Sequence, residues 1–259
     1  MLDLTRTIAQ QWLQGLGRVA ILASETFASI FRHKIEWRNF IYQIYFIGVK
    51  SQSVVLITGA FTGMVLCAQT YFQFHKVKMD TATLAVVSVS MGSELGPVLT
   101  ALMVAGRVGA AMAAELGTMK VTEQIDALRT LAAHPVDYLV VPRILATLVS
   151  LPLLTAESIV IGIVAAYVVG VFLLGIDPAY AWHNMLAYTD APHMMSGLIK
   201  AVFFGLFLSL ISCYKGINCG QGAEGVGRAT TEAVVFSSIA ILISNFFLTM
   251  FLSRMLQSG

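Results

Sequence analysis

The chain has 259 residues, of which 14 are acidic and 16 basic, so that only 12% of its side chains are charged. Soluble domains carry about 25% charged residues, whereas the apolar fraction here is 57% and the mean hydropathy is +0.79. This composition excludes a disordered chain, which needs low hydrophobicity and high net charge, and it argues against a soluble enzyme. A net charge of +2 also argues against a nucleic-acid-binding protein. The composition indicates an integral membrane protein.

The first 45 residues are too charged to cross a membrane, yet their apolar residues recur at near-helical spacing. The pattern predicts an amphipathic helix over residues 1–45 that lies along the cytoplasmic membrane interface. Trp37, Tyr42 and Tyr45 then fall where an aromatic belt is expected. A signal peptide is the alternative, but the segment has neither an unbroken apolar core nor an A-x-A cleavage site.

Five apolar stretches are each long enough to cross the ~30 Å hydrocarbon layer, which takes roughly 20 residues of helix. The predicted spans are residues 51–74, 81–106, 144–176, 194–214 and 233–253. The third would be about 50 Å long as one helix. It is therefore either one tilted helix that projects from the membrane or a helix broken near Pro152, which would give six spans.

The distribution of basic residues predicts the orientation of these spans. With five spans and a cytoplasmic N-terminus, the cytoplasmic segments hold 12 Lys and Arg residues and the other side holds four. Because positive charge accumulates in cytoplasmic loops, we expect the N-terminus in the cytoplasm and the C-terminus outside it.

Two carboxylates lie inside predicted spans, where an acidic side chain must face a protein interior or a wet cavity. Glu94 is followed by Pro97, and glycines at 92 and 96 also loosen the helix around it. Glu94 is either part of the wall of a substrate cavity or a carboxyl that is hydrogen-bonded between helices. For Glu157, which has less local disruption, we favour the hydrogen-bonded alternative.

Polar and small residues also recur on single helix faces. Leu66, Gln69 and Gln73 share one face of the first span, where they either line a partly polar cavity or bond to a neighbouring helix. Glycine and alanine pairs four residues apart, such as Gly59 with Gly63, allow helix backbones to approach closely. We expect packing inside one subunit, with a dimer interface as the alternative.

The loop between the second and third spans contains a short amphipathic helix. Thr122 is a plausible N-cap, and Glu123 would lie in the first turn, where a helix favours negative charge. Ile125, Leu128 and Leu131 form an apolar edge. The pattern fits either a docking element for a cytoplasmic partner or a solvated connector.

No group of residues has the spacing of a metal site or of a catalytic motif. The cysteines Cys67, Cys213 and Cys219 and the scattered histidines match no zinc pattern. The G-x-x-x-x-G-K-[ST] phosphate loop is also missing, so this chain is not expected to hydrolyse ATP by that machinery. We predict no metal, no cofactor bound by this chain and no catalytic residue.

Four motifs follow one another in the centre of the chain: Glu94-Leu-Gly-Pro97, Ala105-Gly-Arg-Val-Gly109, Ala114-Glu-Leu-Gly117 and Thr122-Glu-Gln-Ile-Asp-Ala-Leu128. With these motifs the chain resembles the MlaE-type permeases, which are membrane subunits of ABC transporters that move lipids between membranes together with Mce-domain proteins. The resemblance covers nearly the whole chain and implies one permease domain over residues 1–259. Many Gram-negative members have a basic residue directly before the glutamate, whereas this chain has Ser93.

The resemblance implies an all-α membrane protein with an N-terminal interfacial helix, five spans and a cytoplasmic coupling helix between spans 2 and 3. It implies a homodimer, two ATPase subunits that use ATP, a small STAS-domain protein and a hexameric periplasmic ring of Mce-domain subunits. Glu94 would line a central lipid cavity together with Leu66, Gln69 and Gln73. The residues that dock into the ATPase would be Glu123, Gln124, Ile125, Asp126, Ala127 and Leu128.

The resulting hypothesis is a permease for phospholipid in a Gram-negative inner membrane, where it maintains the lipid asymmetry of the outer membrane. The first alternative is a secondary transporter that uses Glu94 as a proton site. The second is a membrane-embedded lipid enzyme with Glu94 and Glu157 as acid and base.

Overall fold

The computed structural model describes residue 15 and residues 17–30, 37–131 and 134–257, and these residues form an all-α protein. The helices, in chain order, are α1 (17–30), α2 (Trp37–Ile47), α3 (Gln52–Lys76), α4 (Asp80–Val121), α5 (Gln124–Thr130), α6 (Val136–Leu173), α7 (Pro178–Tyr188), α8 (Ala191–Ile217) and α9 (Gly222–Gln257).

Five helices of the described residues are long and apolar enough to cross a membrane, namely α3 with α2 before it, α4, α6, α8 and α9. This confirms the predicted all-α membrane class with five spans. The six-span alternative required a break near Pro152, but α6 continues through this proline. With 38 residues, α6 is about 57 Å long and so exceeds the ~30 Å hydrocarbon layer.

Three spans continue as helices for about two turns or more beyond their predicted limits, and these long extensions all lie at the end predicted to be cytoplasmic. Helix α4 extends past residue 106 to Val121, α6 begins at Val136 and α9 begins at Gly222. Hydropathy could not show these extensions because they are more polar than the membrane-spanning parts. The α4 and α6 extensions pack around buried Leu116, Val140 and Ile144, against which α1 places Val19 and Ala23.

The predicted interfacial helix over residues 1–45 is described only in part, since residues 1–14, 16 and 31–36 lie outside the described residues. Its described portions are helical, but α2 is a helix of its own that ends at Ile47 and turns through Gly48 into α3. Trp37, Tyr42 and Tyr45 are 68%, 59% and 50% exposed, respectively. Exposed aromatic residues on a short helix fit a membrane interface.

The small-residue spacing serves packing between α3 and α6 inside one chain, as predicted. A Cβ atom added at Gly63 would collide with the backbone of Gly162. One turn earlier, a Cβ at Gly59 would lie 2.7 Å from Ser158 Oγ and 2.8 Å from its carbonyl oxygen. Side chains larger than hydrogen at these positions would therefore force the two helices apart.

Helix α4 contains two π-helical segments, Met91–Leu95 and Ala105–Gly109. Each contains one charged residue of α4, Glu94 in the first and Arg107 in the second. Such segments are rare and occur frequently at functional sites. Sequence periodicity gave no sign of them.

Candidate functional site

Glu94 lies in the first π-helical segment of α4 and forms an ion pair with Lys200 of α8. The Lys200 ammonium nitrogen is 2.6 Å from Glu94 Oε1. The Lys200 side chain is 1% exposed, whereas that of Glu94 is 36% exposed. A buried charge is tolerated only when it is paired and hydrogen-bonded, and this pair meets that condition between two helices that are apolar enough to span a membrane.

Helix α9 completes the network around the carboxylate. Asn245 Nδ2 donates to Glu94 Oε2 at 3.2 Å, and Thr249 Oγ1 lies 3.0 Å from Oε1. Lys200 in turn donates to Thr249 Oγ1 at 2.8 Å and to the carbonyl oxygen of Ser93 at 2.9 Å. The three protons of the ammonium group therefore have three acceptors, and little of its donor capacity is left for a ligand.

A cavity of about 380 Å³ opens beside this network. Its lining residues come from α4, from the start of α8 and from the end of α9: Val89, Ser93, Glu94, Asp190, Pro192, His193, Ser196, Lys200, Thr249, Leu252 and Ser253. The start of α8 and the end of α9, which line the cavity, lie on the side predicted to be periplasmic. The cavity therefore connects the ion pair with that side of the protein.

A cation lies next to Glu94 although this chain has Ser93 at the position where the resemblance implies a basic residue. Ser93 Oγ donates to the carbonyl oxygen of Val89 at 2.8 Å, so its hydroxyl is hydrogen-bonded within α4. The positive charge next to Glu94 comes from Lys200 on a different helix. The carboxyl of Glu94 is hydrogen-bonded between helices, as one interpretation of the sequence predicted. It also lines a cavity, and the assignment of that cavity to a substrate stays a prediction.

The other three predicted cavity residues lie elsewhere in this chain. Leu66 is partly buried against the cluster around Cys67 and Met91. Gln69 and Gln73 are exposed on α3. None of the three lines the cavity beside Glu94, so their assignment to a lipid site stays a prediction.

Glu157 belongs to a separate network. Its Oε1 accepts a 3.0 Å hydrogen bond from Gln52 of α3, in agreement with the favoured interhelical interpretation. Its Oε2 is buried with no hydrogen-bond partner, and Glu157 is not a lining residue of the cavity. The structure does not bring Glu94 and Glu157 into one site.

The predicted coupling segment forms α5, but its N-terminus differs from the prediction. Glu123, not Thr122, precedes the helix, and its φ of +60° is left-handed. Thr122 Oγ1 donates back to the carbonyl oxygen of Thr118 at 2.8 Å and therefore does not cap α5. The N-cap prediction was wrong because α4 continues to Val121, and the Thr122 hydroxyl is hydrogen-bonded to the last turn of α4.

The six predicted docking residues divide into two groups. Ile125 is 1% exposed and Leu128 is partly buried, and both pack into the cluster formed by α4, α6 and α8. Glu123, Gln124 and Ala127 are exposed. Asp126 is about half exposed and lies 2.9 Å from Arg129 and 3.4 Å from Lys120. Ile125 and Leu128 thus fasten α5 to its own chain, whereas Leu131, the third residue of the predicted apolar edge, is 77% exposed.

Sequence reasoning missed Lys200, Asn245 and Thr249, which lie 106, 151 and 155 positions from Glu94. One signal for Lys200 was available, because it is the only formal charge in the fourth predicted span, as Glu94 is in the second. Isolated opposite charges in two spans of one protein are expected to pair. Asn245 and Thr249 gave no comparable signal.

The fold and the site together define a class of protein. Several membrane-spanning helices surround a part-open cavity with a buried ion pair on its wall, and the described residues form no extended soluble domain. This is the architecture of a polytopic membrane permease.

Comparison with known proteins identifies the family. The family described as Permease MlaE matches residues 40–251. A probable ABC transporter permease protein of Rickettsia bellii is 43% identical over 252 residues, which are 96% of this chain and 97% of the relative. The intermembrane phospholipid transport system permease protein MlaE of Haemophilus influenzae is 38% identical over 80% of each chain. The chloroplastic protein TRIGALACTOSYLDIACYLGLYCEROL 1 of Arabidopsis thaliana is 38% identical over 90% of this chain and 67% of its own length.

The chain belongs to the MlaE permease family and is an ABC transporter permease. The resemblance seen in the sequence is thereby confirmed.

Proposed function

We propose that this permease moves phospholipid between the inner and outer membranes of a Gram-negative bacterium and so maintains the lipid asymmetry of the outer membrane. The relative from Haemophilus influenzae is named for intermembrane phospholipid transport and matches 80% of this chain. The observation that carries the proposal is the Glu94–Lys200 pair on the wall of a cavity at membrane depth. A site of this kind suits a lipid whose head group must leave water while its acyl chains remain in an apolar environment.

The unequal burial of the pair predicts which part of the head group it contacts. Lys200 is nearly inaccessible and has three acceptors, so the charge available in the cavity is the partly exposed carboxylate of Glu94. Asp190 lies on the same cavity wall and adds a second carboxylate. We therefore expect Glu94 to accept hydrogen bonds from an ammonium or hydroxyl group of the lipid, such as the amine of phosphatidylethanolamine.

The acyl chains need more apolar surface than a cavity of about 380 Å³ provides. Helix α9, which supplies Asn245 and Thr249 to the site, is the least buried of the five spans. Its exposed side chains include Phe246, Phe247, Met250 and Phe251. In a homodimer this face would extend the cavity toward the second copy, where Leu66, Gln69 and Gln73 are proposed to complete the lipid site.

ATP hydrolysis is proposed to take place in two separate ATPase subunits that dock at α5. The exposed residues Glu123, Gln124 and Ala127 and the half-exposed Asp126 would contact the ATPase. Buried Ile125 and partly buried Leu128 would transmit its movement to α4, α6 and α8. A partner shifts a conformational equilibrium only if it binds the two conformations with different affinities. The packing of α5 against α4, α6 and α8 would let such binding by the ATPase move the helices that line the cavity.

The remaining assignments concern the location and the other partners. We propose the bacterial inner membrane, with the N-terminus and α5 in the cytoplasm and the C-terminus in the periplasm. The cavity then opens toward a hexameric ring of Mce-domain subunits, while a small STAS-domain protein binds the ATPase side. The charge distribution of the sequence supports this orientation.

Native mass spectrometry of the complex, purified from membranes through a tag on this chain, tests the proposal. We expect two copies of the permease, two ATPase subunits and bound phospholipid. E94Q is expected to lower phospholipid retention at least tenfold, whereas E157Q, which removes a carboxylate outside the cavity, retains the lipid. A complex without an ATPase, or equal retention in E94Q and the unaltered protein, would contradict the proposal.

Two further measurements separate the alternatives. A secondary transporter would move substrate into vesicles that hold this chain alone when a pH gradient is applied. A lipid enzyme would change the mass of the lipid covalently. Either result would contradict the proposed ATP-driven transport of phospholipid.

A further inference from the structure

Two cations, Lys50 and Arg107, lie beside one aromatic ring at the end of α3 that faces α2. We propose that they form a binding site for the head group of an anionic phospholipid, separate from the Glu94 cavity. Such a site would hold a lipid of the surrounding leaflet and would not depend on the transported substrate. The inference therefore stands independently of the proposed function.

The geometry of the two cations is defined by Phe46 and Ser51. Lys50 Nζ lies 5.5 Å from the centroid of the Phe46 ring, and Arg107 Cζ lies 5.9 Å from it. Arg107 also donates to Ser51 Oγ at 2.6 Å. Lys50 lies 5.7 Å from the ring of Tyr45 as well. These contacts hold both cations within about 6 Å of the centre of one ring.

Neither cation is neutralised within the part of the chain that the structure describes. Six other basic residues in that part pair with carboxylates: Lys120, Arg129, Arg143, Lys200, Lys215 and Arg228. Among the described residues, no carboxylate lies within ion-pair distance of Lys50 or Arg107. A guanidinium group has five N–H donors, and the bond to Ser51 uses one. Two cations that repel each other and retain free donors are complementary to a phosphate diester.

The surface next to the cations is apolar in the direction of the membrane. Val54, Ile57 and Phe61 follow Lys50 at four, seven and eleven positions and are 40%, 60% and 62% exposed. This spacing places them on one face of α3. A basic residue at the end of an exposed apolar stripe matches a lipid, whose head group and acyl chains are arranged in the same order. Free phosphate would make no use of the stripe.

The position of Arg107 separates this site from the cavity. Arg107 lies 13 residues after Glu94 along α4, which corresponds to about 20 Å of helix. It occupies the second π-helical segment of α4, and Gly106 before it has open space where a Cβ would lie. The site is near the end of the spans predicted to be cytoplasmic, where basic residues attract anionic lipids.

Native mass spectrometry of the purified full-length protein, titrated with phosphatidylglycerol or phosphatidylcholine, tests the proposal. We expect the unaltered protein to prefer phosphatidylglycerol and each removed cation to lower that preference about fivefold. K50Q/R107Q should bind the two lipids about equally. K76Q/K78Q removes two exposed lysines at the opposite end of α3 and should leave the preference unchanged.

If the double variant does not fold, K50Q alone provides the test, because Lys50 is exposed. A preference for phosphatidylglycerol that is unchanged in K50Q, or that survives in K50Q/R107Q, would overturn the proposal, as would its loss in K76Q/K78Q. Millimolar inorganic phosphate is expected not to displace the lipid. Displacement would show a site for free phosphate and overturn the assignment to lipid.

Discussion

The Lys200 ammonium nitrogen lies 2.6 Å from Glu94 Oε1, but Lys200 is 1% exposed and Glu94 is 36% exposed. The pair therefore has a protected end in the helix bundle and an accessible end in the cavity. Loss of Glu94 leaves a cation buried without a countercharge. Loss of Lys200 leaves a carboxylate that still reaches the cavity. The two partners are thus expected to differ in their effects on stability.

We expect E94Q to lower the free energy of unfolding by about 3–5 kcal/mol, the usual cost of an uncompensated buried charge. K200M should lower the free energy of unfolding by less, because the remaining carboxylate keeps its hydrogen bonds with Asn245 and Thr249 and has access to the cavity. E94Q/K200M should be more stable than the sum of the single effects predicts, since it leaves neither charge alone. Denaturant unfolding in detergent measures all three. Strict additivity would show that the two charges are not coupled.

The five spans and α5 were predictable because their signals are local. Hydropathy over about 20 residues locates a span, and the spacing of Ile125 and Leu128 locates an amphipathic helix. Hydropathy did not give the length of α4, since residues 107–121 are held by packing against α8 and α9 and not by the membrane.

The candidate site was predictable only at Glu94, whose charge in an apolar run is visible in the sequence. Its partners come from α8 and α9, more than 100 positions away, and contacts over such separations follow from how the helices pack. The role of α5 shows the same limit. The sequence indicates an apolar edge, but not whether its residues meet a partner or, as Ile125 and Leu128 do in this structure, the chain's own core.

The division of α5 into buried and exposed residues predicts separable effects. A127W should leave the fold intact and reduce co-purification of the ATPase at least tenfold, because Ala127 is exposed and a large side chain there blocks docking. A179W, the same change at an exposed position of α7, is the matched control. Ile125→Ala should instead lower the free energy of unfolding by about 2–5 kcal/mol. Full retention of the ATPase by A127W would exclude this surface as the docking site.

Close contact between α3 and α6 predicts that G63A is destabilising. The added methyl group would collide with the backbone of Gly162, which cannot rotate away, and overpacking of this kind costs about 1–3 kcal/mol. G106A is the control, because nothing lies within 4 Å of its Cβ position and alanine favours a helix by about 1 kcal/mol over glycine. The midpoint of thermal unfolding should therefore fall in G63A and rise in G106A. Equal shifts would mean that the helices are not in backbone contact at Gly63.

Cys219 provides a test of the orientation in the membrane. Its side chain is partly accessible between α8 and α9, whereas Cys67 and Cys213 are buried. With α5 in the cytoplasm, an impermeant maleimide should label Cys219 in inside-out vesicles and not in intact cells. Burial raises the pKa of the Cys219 thiol, so the reactive thiolate is scarcer than in a free cysteine and labelling should accelerate as the pH rises above the ordinary cysteine range. C219S is the control for background labelling. Labelling from the outside of intact cells would reverse the proposed orientation and place the cavity on the cytoplasmic side.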